Sequence, residues 1–451
     1  MRYKKRMKQE LAYWVDGLLA AIKKQSLDLK GPTKSEDSSR DSYQKNLEAI
    51  ADLRGRKAYY PYISSGLGQG ALVQLLDGSV KLDFICGIGP HILGHSHPQL
   101  LKASLLAALE DTTMQGHLQF SLIYKQFMEK IISIARKNSR LEQAWICPSG
   151  SMSNENALKV IRQKRNGARL ILAFEGAFAG RTTLMAEITD NPNVKQGLPS
   201  YDEVLRVPFS PDDPQKALKV LKQHWTKHGD QIAGFILELM QGDGGYYQAP
   251  REFFVPLLEF CKEKQLAVWF DEVQTFARST EFFAFEKLNL GQYVDVCTIG
   301  KAVQLAVTLW TKEYNPKPGL VSGTFASSSS SLHCALEVLN TLDTQNYMGP
   351  EGKTSKIYKQ WISRLKLLEQ EGLISDIEGW GLMVGVTPLD GQENRVKKLL
   401  QILFQEGLIC FSCGVQSKKR LRFLLPAVVQ EKDLDQALEI LRKSLLEVKE
   451  K

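Results

Sequence analysis

Two apolar runs thirty residues apart constrain this chain most. Leu266-Ala-Val-Trp-Phe270 leads into Asp271-Glu-Val-Gln-Thr275, and Val294 to Ile299 leads into Gly300-Lys301. Each run is short and apolar throughout, the pattern of a strand buried on both faces of a parallel sheet. Parallel neighbours need a crossover between them, and a spacing of 301 − 271 = 30 residues allows one. The ends of such strands open on a common crevice. One end here presents a carboxylate and the other a lysine.

A lysine in a partly apolar crevice sheds its proton readily and attacks an aldehyde. A carboxylate facing it holds a pyridine nitrogen protonated. Those are the two protein groups that a pyridoxal 5'-phosphate (PLP) site requires. The same pair also suits a strand-end acid that caps a helix and a lysine in solvent. The flanking residues decide between the two.

The 451 residues are 43% hydrophobic and 24% charged, a globular composition for two domains or one large domain with a satellite. A net charge of +8 is a mild excess at this length and does not argue for nucleic acid. No run reaches about 18 apolar residues, so no membrane span is expected. Seven scattered cysteines point to reduced thiols in a cytoplasmic compartment. Cys410-Phe-Ser-Cys413 lacks a second pair, and His224 and His228 lack the Glu of a zinc helix, so no metal is expected. No G-x-G-x-x-G follows a strand, which excludes a nicotinamide enzyme.

The chain begins with Arg2, Lys4, Lys5, Arg6 and Lys8, then Leu11, Trp14, Val15, Leu18, Leu19 and Ile22 at helical spacing. That helix either docks on protein or, as a basic amphipathic element, touches anionic lipid. Residues 31–42 are polar and turn-forming, a linker pattern. Leu72–Leu76 and Lys81–Ile85 flank Asp77-Gly78 as a hairpin. Helices are expected over Leu100–Leu109, Pro250–Lys264 and Leu332–Leu342, and strands over Leu170–Phe174, Gly234–Glu238, Leu382–Val386 and Leu421–Leu424. Ser149-Gly150-Ser151 precedes helical spacing at Ala157 and Leu158, a helix start that suits a phosphate. Alternation of strand and helix from about 144 to 300 predicts a mostly parallel, helix-covered sheet.

In this order the pieces resemble the class III PLP-dependent aminotransferases, the family of ornithine, acetylornithine and 4-aminobutyrate aminotransferases. The likeness runs from about Gly68 to Pro426. It rests on Gly94-His95-x-His97-Pro98, Ser149-Gly150-Ser151, Phe178-Ala-Gly-Arg181-Thr182, Glu238-x-x-Gln241-Gly, Asp271-Glu-Val-Gln274-Thr, Gly300-Lys301, Gly323-Thr324-Phe325, Gly381-Leu-Met-Val-Gly385 and Leu421-Arg422-Phe423. The resemblance implies an α/β architecture of PLP fold type I. A large domain with a mostly parallel, seven-stranded sheet would be joined by a small α/β domain built from both chain ends. The expected divisions are an N-terminal helical extension and linker (1–55), the first part of the small domain (56–105), the PLP-binding domain (106–340) and the rest of the small domain (341–451).

The resemblance also implies roles. Lys301 would hold the cofactor through a Schiff base and then carry the substrate proton. Asp271 would pair with the pyridine nitrogen, Gln274 would sit near the 3'-oxygen, and Phe178 would stack on the ring. Gly150 and Ser151 would bind the phosphate, and Thr324 would reach the phosphate of a second subunit in a homodimer. Arg181 and Arg422 would be carboxylate forks. Glu238, Asp243 and Tyr59 or Tyr60 would lie beside the substrate.

The expected function is amino transfer from an amino acid or ω-amine to a 2-oxo acid, 2-oxoglutarate foremost. A PLP-dependent aminomutase and a non-catalytic relative stay open as alternatives. The chain departs from the family at Ala179, where a ring is usual, and at Asp243, where Glu is usual. It departs again over the serine run from Ala326 to Leu332 and at Ala302–Ala306. These departures bear on substrate choice and phosphate geometry.

Overall fold

The computed structural model describes residues 2–26, 29–35, 37–110, 114–414 and 418–450. Its centre is a seven-stranded sheet: β1 (Gln143–Cys147), β2 (Leu170–Phe174), β3 (Val204–Val207), β4 (Ile232–Leu237), β5 (Ala267–Glu272), β6 (Val296–Ile299) and β7 (Ala306–Trp310). The spatial order is β1-β7-β6-β5-β4-β2-β3, and only β7 runs antiparallel to its neighbours. Every residue of β2, β4, β5, β6 and β7 is buried, as expected of strands covered on both faces. Helices such as Gly150–Lys164, Arg251–Glu263 and Ser329–Thr344 supply the covering layers.

A four-stranded sheet combines Ser64–Gln69, Leu72–Leu75 and Val80–Asp83 with Leu408–Ile409, which pairs in parallel with Val80–Asp83. A second four-stranded sheet joins Ile374–Trp380, Met383–Pro388, Arg420–Leu424 and Phe411–Cys413. The anticipated hairpin at Asp77-Gly78 is present. So are the Leu170–Phe174 strand and the three anticipated helices, the last of them starting earlier, at Ser329.

Residues 31–42 are more ordered than their composition implies. Thr33 bridges Val80 in both directions, Ser39 Oγ donates to Asp77 O at 2.9 Å, and a helix starts at Arg40. Main-chain pairing to the hairpin overrides the turn-forming residues there. The N-terminal helix spans Arg2–Ser26 and buries Val15, while Tyr13, Trp14 and Leu18 stay exposed. The side chains of Arg2, Lys4, Lys5, Arg6 and Lys8 lie outside the described residues. Among the described residues, no helix is long and apolar enough to cross a membrane.

Candidate active site

β5 and β6 run in parallel with Asp271 opposite Thr298, so Lys301 emerges three residues beyond that pair, past the same sheet edge. Gly300 is extended, and Lys301 then turns into a short 3-10 helix, Lys301–Val303, with φ +49°. A left-handed conformation on a residue with a Cβ costs about 1–3 kcal/mol and persists only where its surroundings enforce it. Gly89 lies against it, also at positive φ. A Cβ there would stand 3.2 Å from Lys301 Cδ and 3.3 Å from Arg278 Nη2, so a glycine lets both side chains approach.

The lysine keeps some exposure at the mouth of the crevice, yet its surroundings strip most of its hydration. Desolvation, then the Arg422 and Arg278 guanidinium groups, bring its ammonium down to about 7 against the pull of Asp271 and Glu238. Asp271 is 6% exposed. Its Oδ1 accepts from Val273 N at 3.0 Å and its Oδ2 from Asn154 Nδ2 at 2.7 Å. Burial outweighs those two bonds and raises Asp271 to about 6. Glu238 is bound into the loops by Phe178 N (2.8 Å) and Gly242 N (3.0 Å), and burial followed by the Asp271 charge raises it to about 8.

The helix Gly150–Lys164 starts at this edge. Ser149 caps it by accepting from Met152 N at 3.3 Å. Its first N–H groups have no acceptor within the helix and face outward. A Cβ on Gly150 would come within 2.7 Å of Val273 Cγ1, so the glycine lets the helix start close on the Asp271 strand. Ser151 Oγ accepts from Arg181 N at 3.3 Å, which ties the phosphate-type helix start to the loop carrying Phe178. Gln274 is buried, and its Oε1 has no partner among the described residues.

The remaining anticipated residues fall around this centre. Arg181 is exposed. Arg422 is buried at 4% exposure on the Arg420–Leu424 strand, with Nη2 3.7 Å from Asp243 Oδ1. Tyr60 is committed to the fold, donating to Cys410 O at 2.6 Å and stacking on Phe404, whereas Tyr59 is exposed. Thr324 is exposed, just before Ser327–Ser328, which pairs antiparallel with Met114–Gln115. Within the serine run, Ser328 caps the helix Ser329–Thr344.

Two residues here escaped sequence reasoning. Asn154 sits one helical turn past Gly150 and looks like ordinary helix-start chemistry, yet its amide orients Asp271 and also donates to Ala179 O at 2.7 Å. Arg278 is fully buried, donating to the Gly89 carbonyl, and burial lowers it to about 10. An arginine inside Thr275-Phe-Ala-Arg-Ser279 was the available signal.

These residues fit PLP. A lysine shifted toward its neutral form, an oriented carboxylate on the neighbouring strand, an open helix start and two orphaned buried amide oxygens, Gln274 Oε1 and Asn154 Oδ1, converge on one crevice. Among the described residues, no group of His, Cys, Asp and Glu is arranged to hold a metal ion.

The class-III aminotransferase family model matches residues 57–445. Acetylornithine aminotransferase from Bacillus anthracis is 28% identical over 382 residues, covering 83% of this chain and 93% of that protein. Diaminobutyrate--2-oxoglutarate transaminase from Oceanobacillus iheyensis is 26% identical over 391 residues, covering 83% and 90%. The solved lysine aminotransferase from M. tuberculosis superposes with a TM-score of 0.79 at 20% identity, over 89% of this chain and 99% of that one. The fold is therefore that of these PLP enzymes, and the chain belongs to the class-III aminotransferase family.

Proposed function

We propose that this aminotransferase moves an amino group from an amino acid or ω-amine to a 2-oxo acid, 2-oxoglutarate foremost, at the crevice between β5 and β6. The observation that carries the reading is the Lys301–Asp271–Asn154 constellation: a lysine near 7 facing a carboxylate oriented at 2.7 Å. When bound, PLP supplies an aldehyde carbon that takes the donor nitrogen and a ring that withdraws electrons.

The chain's own residues do the rest. Lys301 Nζ, neutral above about pH 7, would be the group that holds the cofactor's aldehyde carbon, and would move the proton released at substrate Cα. Asp271 would keep the pyridine nitrogen protonated, and Asn154 fixes its carboxylate through the 2.7 Å bond. Gln274 would hold the 3'-oxygen, Phe178 would take the ring, and the Gly150–Ser151 N–H groups would take the phosphate. Arg422 takes the carboxylate next to the reacting carbon and Arg181, nearer the mouth, a distal one. Glu238, with both oxygens engaged by loop N–H groups, shapes the wall beside the substrate.

A homodimer with shared sites is part of the reading. Thr324 lies on a surface with Met114, Leu118, Phe120, Leu122 and Phe325 all exposed, Leu118 at 95%. An apolar patch of that kind on a single chain marks an interface. The reduced, buried cysteines favour a cytoplasmic setting.

Borohydride reduction of the PLP-loaded protein followed by peptide mapping tests the site. The label is expected on Lys301, and a label on another lysine overturns the assignment. Half-reaction spectra with ornithine, acetylornithine, lysine, 4-aminobutyrate and alanine identify the donor.

A further inference from the structure

Arg422 is held by an unusual set of neighbours. It lies mid-strand, paired with Gly385 on one side and Phe411 on the other. Its guanidinium carbon stands 5.0 Å over the Phe411 ring. The acid beside it, Asp243, approaches only to 3.7 Å, beyond hydrogen-bond length. Asp243 is also engaged elsewhere: its Oδ2 accepts from Asn191 Nδ2 at 3.2 Å and its carbonyl from Gly414 N at 2.9 Å. Arg422 Nε is buried with no partner among the described residues.

We infer that Phe411 is a specificity-determining residue, whose ring holds the Arg422 guanidinium ready for a substrate carboxylate in both half-reactions. The inference rests on the reading that Arg422 receives that carboxylate.

The physical argument concerns what each neighbour takes from the cation. A carboxylate at hydrogen-bond distance neutralises a guanidinium and occupies the paired N–H groups that a substrate would use. An aromatic face attracts the cation without occupying those N–H groups. Stacking on Phe411 therefore orients Arg422 while leaving its charge and its fork available. Phe411 is itself fixed from the outside by the Tyr59 ring, 4.5 Å away.

The consequence is a filter. A donor with a carboxylate beside its amine finds a partner already in place. An ω-amine, with a methylene at that point, meets a buried cation that Asp243, at 3.7 Å, only partly compensates. Selectivity then comes from the repulsive element as much as from the attractive one. Truncating the ring frees Arg422 to close on Asp243, which weakens carboxylate binding and relieves the ω-amine.

The test compares Phe411→Leu, which keeps an apolar side chain but loses the ring face, with Phe411→Tyr, which keeps the face. Each is made in the full-length, PLP-loaded protein. Calorimetry measures the dissociation constant of glutarate, a dicarboxylate without a reactive carbonyl. Single-turnover rates are measured with glutamate and with 4-aminobutyrate. Phe411→Leu is expected to weaken glutarate about tenfold, a loss within the range of a desolvated cation–ring contact. It is also expected to raise KM for 2-oxoglutarate with kcat nearly kept, and to lower the glutamate to 4-aminobutyrate rate ratio. Phe411→Tyr should restore all three to within about twofold.

An unchanged glutarate constant in Phe411→Leu, or no rescue by Tyr, overturns the inference. Phe411→Met serves the same comparison if the Leu protein does not fold. If the natural protein converts no amine at all, the reading of the function fails, and the glutarate constants still judge the role of Phe411.

Discussion

Asn154 Nδ2 lies 2.7 Å from Asp271 Oδ2 across the gap between a covering helix and the central sheet, and the same amide reaches Ala179 O at 2.7 Å. One side chain thus ties together the helix start, the Phe178 loop and the carboxylate at the end of β5. Replacing Asn154 with Leu removes both bonds and leaves a buried carboxylate oxygen and a carbonyl unpaired. A stability loss of about 1–3 kcal/mol is expected, read from denaturant unfolding. The carboxylate would also lose its fixed plane, so amino transfer should fall at least about tenfold in the folded fraction, a change of about 1.4 kcal/mol in the barrier.

Asp271→Asn probes the charge itself. An amide keeps the shape and the bond from Val273 but cannot stabilise a protonated ring nitrogen. PLP should remain bound while turnover falls by at least about two orders of magnitude, about 2.7 kcal/mol. Turnover close to the natural rate would remove Asp271 from this role.

Lys301 near 7 makes a pH prediction. The neutral amine is the form that bonds an aldehyde, and the ammonium form is not. A lysine whose pKa is lowered becomes competent as pH rises through that lowered value. Loading of PLP into the cofactor-free protein should therefore accelerate through a midpoint near pH 7 and level off above it, where an unperturbed lysine would require a pH near about 10.4. Stopped-flow absorbance of the loading step gives the midpoint. Lys301→Ala should abolish the covalent band.

The pair Asp243–Arg422, at 3.7 Å, is open enough to be tightened. Asp243→Glu adds one methylene, about 1.5 Å of reach. Direct pairing should neutralise Arg422 and occupy its fork, so that the single-turnover rate for ω-amino donors rises relative to that with glutamate. A ratio of the two rates that does not move would show that Asp243 is not a switch.

Assembly is tested by sedimentation. The natural protein should be a dimer at assay concentrations, and Leu118→Lys, placing a charge on the exposed apolar segment beside Thr324, should yield monomers with weakened PLP retention. An active monomer would sink the shared-site reading.

Much of this architecture is legible in the sequence because short apolar runs between polar turns admit few other structures. Leu170–Phe174 is a strand end to end, and Asp271 and Lys301 stand at neighbouring strand ends as their flanking runs dictate. What escapes sequence reasoning depends on tertiary approach. The amide of Asn154 is set by a contact across 117 residues, and Arg278 by a carbonyl 189 residues away. Phe411 acts through a cross-strand neighbour, and nothing in Cys410-Phe-Ser-Cys413 signals that its ring lies under Arg422. The order within 31–42 likewise arises from pairing with Val80, not from its own residues.

The small sheet formed by Val80–Asp83 and Leu408–Ile409 sets a timetable for the growing chain. Leu82 pairs with Leu408, so 408 − 82 = 326 residues must be synthesised before that edge can close. At about 5–20 residues per second the wait is about 16–65 s. During it the central sheet can assemble, while the edge of Val80–Asp83 beyond Val80, which Thr33 already engages, keeps the backbone groups of Leu82 unpaired and open to other chains. A nascent chain stalled before Leu408 would leave the ribosome with its large sheet folded and that edge still bare.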